Sequence, residues 1–228
     1  MSPSDSATAP GDTDERTRTL QRRIRWIVAI TISYNVVEAV VAIAAGAVAS
    51  SVALVGFGLD SIVEVLSAAA IAWQFAAPDP ETREKAALRV IALSFFALAA
   101  YVLIDSGLSL LGLRDADQSL VGIVLTAMSL AVMPLLSLLE RRTGAELGST
   151  SAIADSKQTL ICAYLSAAVL AGLVVNALFG WTWADPVAAL IIAGFAIKEG
   201  IEAWKGDTCT SPVSALTGQH DSGLEDCC

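Results

Sequence analysis

The sequence predicts an all-α membrane protein of six transmembrane helices with both termini in the cytoplasm. Three observations carry that prediction. The chain of 228 residues is 55% hydrophobic and only 16% charged, with a mean hydropathy of +0.64, which does not fit a water-soluble surface. Its charges are clustered: residues 118–139 and 158–184 contain none, and each run reaches the about 20 apolar residues that cross a bilayer. The basic residues between the apolar runs are one-sided.

From the uncharged runs and their punctuation, the spans are residues 24–48, 52–76, 88–113, 118–139, 152–179 and 184–204. Short links at 49–51, 114–117 and 180–183 alternate with longer polar ones at 77–87 and 140–151, so neighbouring spans form antiparallel hairpins. Arg16, Arg18, Arg22, Arg23 and Arg25 precede the first span. Arg83, Lys85 and Arg89 lie between the second and third, Arg141 and Arg142 between the fourth and fifth, and Lys205 follows the sixth. The opposite face has only Arg114. Lys and Arg near span ends are retained in the cytoplasm, which orients the bundle. Trp26, Trp73, Trp181, Trp183 and Trp204 fall near span ends, where an interfacial belt belongs.

Around the membrane domain, residues 1–23 read as a disordered cytoplasmic N-terminus and 205–228 as a disordered cytoplasmic tail, both rich in Ser, Thr, Asp, Gly and Pro. The first 25 residues are too polar for a signal peptide, and the first span is expected to be retained. The expected location is a bacterial inner (plasma) membrane. With 14 Lys+Arg against 23 Asp+Glu there is no basic excess for nucleic acid. The four cysteines make no disulfide scaffold: Cys162 lies in an apolar span, and Cys209, Cys227 and Cys228 lie in the tail, where thiols stay reduced. The single His220 is also in the tail and no nucleophile–base pair is visible, so the chain is not read as an enzyme.

Acids inside the spans carry the functional information, since each ionised one at mid-membrane costs about 2.5 to 3.5 kcal/mol. Asp60 and Glu64 are four residues apart on the second span and project from one face. They lie about 13 and 19 Å below Ser51, near the bilayer centre. Two like charges on adjacent turns repel, and a dication or a shared proton between them reverses that. Asp155, Gln158 and Cys162 form a second polar stripe on the fifth span. If the antiparallel spans pack, Cys162 comes level with Asp60 and Gln158 with Glu64, while Asp155 sits one turn nearer the cytoplasm. The alternative is structural pairing of the two acids with Lys157 or with hydroxyls.

Other polar residues rank lower. Asn35 and Glu38 share a face of the first span and can line the same cavity or make interhelical hydrogen bonds. Asp105 is expected to be solvated near the outer half of the third span. Asp185 before Pro186 reads as a cap and first-turn proline of the sixth helix. Lys198 and Glu199 are expected to snorkel. Ala44 to Ala47, Gly56, Gly58 and Ala68 to Ala70 allow close helix approach.

With these residues in view, SSVALVGFGLDSIVEVLS resembles the second transmembrane helix of the cation diffusion facilitator (cation efflux) transporters: a Ser-x-Ala-Leu opening, an Asp or His, and an Asp four residues later. STSAIADSKQTLICAYLSAAVLAGL and GWTWADPVAALIIAGFAIKEG are similar to that family's fifth and sixth helices, including the Ala-Asp pair and the Asp-Pro opening. The resemblance covers about residues 24–204 and is closest for spans 2, 5 and 6. It implies a homodimeric exporter of divalent cations, usually zinc, exchanged for protons at a site shared by the second and fifth helices. By position, Asp60 and Glu64 match the second-helix pair. Gln158 and Cys162 stand where the family usually has His and Asp, and Asp155 matches the Asp three residues earlier. The chain departs from the pattern in Glu64, in the Gln–Cys pair, in lacking a His-rich loop between spans 4 and 5, and as a short form without the C-terminal cytoplasmic domain.

Two carboxylates and a thiolate suit tetrahedral zinc, with Asp155 or water completing the set. An oxygen-only site suits manganese, iron(II) or magnesium. The resulting reading is a zinc-favouring metal/proton antiporter working through Asp60, Glu64, Asp155, Gln158 and Cys162, with Zn2+, or Mn2+ or Fe2+, as cargo and no resident cofactor. Its partners are divalent cations, protons, the lipid bilayer and a second copy of the chain. The alternatives are a non-transporting membrane protein that binds metal or a partner, and a drug exporter with an acidic pocket.

Overall fold

Apolar runs flanked by strong helix formers continue as helix beyond the bilayer, and this governs where the elements end. The computed structural model describes residues 10–75, 81–113, 116–147 and 150–205. It contains six helices: α1 (Pro10–Ala49), α2 (Val52–Phe75), α3 (Glu81–Leu110), α4 (Leu120–Leu147), α5 (Thr150–Phe179) and α6 (Ala184–Lys205). At 40 residues, α1 extends about 60 Å, roughly twice the hydrocarbon thickness. Residues 10–23, expected to be disordered, therefore belong to it; Glu, Gln, Arg and Leu are good helix formers and keep the turn going. For the same reason α3 begins at Glu81 and α4 runs to Leu147, through segments expected as links. Residues 1–9 and 206–228, including the cysteines and histidine of the tail, lie outside the described residues.

Among the described residues five helices, α1 to α5, are long and apolar enough to cross a membrane. Charge rather than length sets α6 apart: its 22 residues include Asp185, Lys198, Glu199 and Glu202. The bundle carries large apolar side chains outside and encloses polar groups within an apolar core. Val40, Val48, Leu93, Ile104 and Leu120 are exposed, while Glu38, Asp60, Glu140 and Asp185 are buried, the arrangement lipid demands. All five tryptophans are about half exposed or more, from 48% for Trp73 and Trp181 to 61% for Trp26.

α4 packs most extensively on α5, α3 on α6 and α1 on α2, whereas α2 meets α5 over a short stretch. Missing side chains permit these contacts. A Cβ at Gly58 would lie 2.8 Å from the Ile43 side chain on α1, and one at Gly172 would lie 2.8 Å from Ala188 Cβ on α6. Gly56 faces Val102 and Ile192, and α2 runs unbroken through the Gly56–Phe57–Gly58 segment.

The end of the bundle that holds the α1–α2, α3–α4 and α5–α6 links is laced by hydrogen bonds. Ser50 turns the chain with φ of 50°, and Ser51 N–H closes α1 on Gly46 O at 2.9 Å. Asp117 N–H reaches Ala49 O at 2.8 Å, and Asn176 Nδ2 donates to Ala116 O at 2.9 Å. At the opposite end α1 begins, α6 ends, and α2 and α4 give way to α3 and α5.

Candidate metal centre

Because α2 is continuous, Asp60 and Glu64 stand one turn apart on the same face, as their spacing requires. Cys162 of α5 arrives opposite them. One ligand atom from each of Asp60, Glu64 and Cys162 lies within 4.8 Å of the others. Cys162 is fully buried and free, and its sulfur lies beside the two carboxylates. Two carboxylate oxygens and a sulfur at that spacing can close on a dication as three of the four ligands of a tetrahedral shell.

α1 and α4 line the same interior. Asn35 Nδ2 donates to Glu64 Oε2 at 2.5 Å. Glu38 accepts from Ser61 Oγ at 3.0 Å and from Ser129 Oγ, and Tyr34 Oη contacts Ser129 Oγ at 2.8 Å. The shared face of Asn35 and Glu38 thus does line the cavity, through hydrogen bonds. From α6, Glu199 acts electrostatically on Asp60. Lys198 pairs with Glu202 at 3.3 Å, whereas Glu199 does not snorkel: it is partly buried, and its Oε1 has no hydrogen-bond partner among the described residues.

The side chains of Asp155, Lys157 and Gln158 lie outside the described residues, so of the α5 stripe only Cys162 is placed at the site. Asp105 is buried rather than solvated and takes a hydrogen bond from Tyr101 Oη at 3.4 Å. The cap expected of Asp185 serves a different helix. Its carboxylate accepts from Ser51 Oγ and from the N–H groups of Val52 at 2.8 Å and Ala53 at 3.2 Å, while Ser51 Oγ accepts from Leu54 N–H at 3.1 Å. The first three N–H groups of α2 are therefore satisfied from α6 and from Ser51.

One buried acid escaped the sequence reading. Glu140, fully enclosed on α4, accepts from Thr159 Oγ1 of α5 at 3.4 Å, one turn from Cys162. Its signal was present: Met133, Ser137 and Glu140 recur on the helical period, and the first two are buried. It was missed because the fourth span was ended at residue 139.

Six helices with an apolar exterior define a multi-pass membrane protein, and two of them bring together, in its interior, three side chains that could hold a metal ion. Residues 86–205, just over half of the chain, match the family model of the cation efflux transmembrane domain. The chain belongs to the cation efflux family, a family of transporters and not of enzymes. The match begins within α3, so it includes Cys162 but not Asp60 and Glu64. The chain is also similar to the cation-efflux pump FieF of Shewanella oneidensis, with 28% identity over 149 residues, 63% of this chain and 50% of that protein. It thus spans about half the length of that curated relative.

Proposed function

We propose that the protein exports divalent cations, zinc foremost, from the cytoplasm in exchange for protons, with Asp60, Glu64 and Cys162 as the binding station and a homodimer as the working unit. The observation that carries this reading is the convergence of those three ligand atoms within 4.8 Å, deep in a bundle of the cation efflux family. The similar Shewanella protein is named a cation-efflux pump, which agrees with it.

The chemistry follows from charge. Two carboxylates one turn apart in an apolar interior do not both stay ionised without a counter-charge, so the empty station holds a proton. A dication arriving from the end where α1 begins and α6 ends, past Asp155, favours the ionised pair and releases that proton. Exposure to the other face lets protons compete the cation away, the cycle of an alternating-access exchanger. The Cys162 thiolate favours zinc, while the carboxylates alone would serve manganese or iron(II). Small residues on the helix surfaces give a second copy somewhere to pack.

The test is uptake into liposomes containing the purified protein. Wild type accumulates zinc against a gradient with counter-movement of protons, and Asp60→Asn combined with Glu64→Gln abolishes both. Undiminished transport by the double variant removes this station from the mechanism.

A further inference from the structure

We infer that Asn35 is a ligand of the transported cation, donating its amide oxygen from α1 to complete the set supplied by Asp60, Glu64 and Cys162. The inference rests on the reading of those three residues as a cation station. Asn35 is only 3% exposed, and its Nδ2 is in contact with Glu64 Oε2 at 2.5 Å, so the amide head sits at the edge of the cluster. The donor end of the amide is thereby taken up by Glu64. The acceptor end, Oδ1, is buried and has no hydrogen-bond partner among the described residues.

A side chain that merely tied α1 to α2 would be expected to use both ends, because buried amides are rarely left half satisfied. The oxygen is held on the same carbon as the nitrogen and therefore lies beside the same carboxylate. A cation held by Glu64 would supply the partner that the protein does not. α1 is fixed at this depth by Glu38, which is bound to Ser61 of α2 and Ser129 of α4 one turn further on. The amide is thus presented by an anchored helix rather than by a loose one.

Charge also favours a neutral oxygen at this place. Two carboxylates and a thiolate already exceed the two positive charges of the cargo by one, and a third carboxylate would add uncompensated charge in an apolar interior. An amide oxygen raises the ligand count to four without doing so, as a tetrahedral ion requires. It also makes the ligand set span α1, α2 and α5, so that loading draws three helices together rather than two.

The probe is Co2+, titrated into the purified full chain in lipid nanodiscs. A thiolate-to-metal charge-transfer band reports an ion at Cys162, and the ligand-field intensity reports how many groups bind it. Wild type is expected to show the band. Asn35→Leu should keep it with altered ligand-field intensity and about 10- to 100-fold weaker affinity, the range typical of lost supporting groups at metal sites. Asn35→Asp restores an oxygen but no donor and adds the uncompensated charge, so it should bind more tightly than Asn35→Leu and less tightly than wild type. If Asn35→Leu binds as tightly as wild type, or if Asn35→Asp is as weak as Asn35→Leu, Asn35 is not a ligand even though the station stands. If wild type shows no thiolate band, the station itself fails and the ligand role goes with it.

Discussion

Asp185 and Asp60 are both buried aspartates, 0% and 4% exposed, on helices that cross the same bundle, yet their surroundings are opposites. Asp185 accepts from a hydroxyl and two backbone N–H groups at the start of α2. Asp60 receives no hydrogen bond among the described residues and faces two further ligating groups, Glu64 and Cys162. Burial alone therefore does not separate an acid that holds the fold from one poised for a ligand. The inventory of donors does. A carboxylate with its hydrogen bonds met within the protein has little left to offer a cation, and one surrounded by other acceptors has nothing else to bind.

The contrast can be broken most sharply at Asp60. Asp60→Asn should lower liposome zinc transport by at least about 100-fold while leaving thermal unfolding in detergent unchanged within about 0.5 kcal/mol, since no fold contact is lost. A large fall in stability would place Asp60 in the same class as Asp185. The reverse pattern is expected of Asp185→Ala, which strips three donors of their acceptor and should cost about 1–2 kcal/mol, with transport per folded molecule retained. Loss of transport at unchanged stability would move Asp185 into the transport machinery. A smaller effect tests the third member of the station. Cys162→Ser exchanges a soft ligand for a hard one and should shift preference from zinc toward manganese by about tenfold, measured by competition uptake, without abolishing movement. An unchanged ion preference would show that the thiol only packs.

Much of this was legible in one dimension. Runs without charge fixed the number and approximate place of the helices, and the tryptophans marked their ends. The four-residue spacing of Asp60 and Glu64, and the depth match with Cys162, rest on helical geometry alone and survive in the structure. What stayed hidden has two physical causes. Helices do not stop where the membrane does, so the charged segments that open α3 and close α4 continue to turn, and Glu140 was counted as loop. Partners distant in sequence are invisible to local rules: Asp185 looked like the cap of its own helix, while its hydrogen-bond donors lie more than 130 residues away in the chain, at Ser51, Val52 and Ala53. The contact of Asn35 with Glu64 was hidden for the same reason.

The carboxylate of Asp185 does more than quiet three orphan donors; it makes a fulcrum. With the start of α2 hydrogen-bonded to the start of α6, a splaying of these two helices that kept those bonds would pivot there, and displacement would grow in proportion to distance from it. Asp60 lies about 13 Å along a helix of about 36 Å, so it moves roughly one third as far as the free end. A swing of about 3 Å at Phe75 would shift the Asp60 carboxyl by about 1 Å. A movement of this kind would be widest where α2 ends and fine at Asp60.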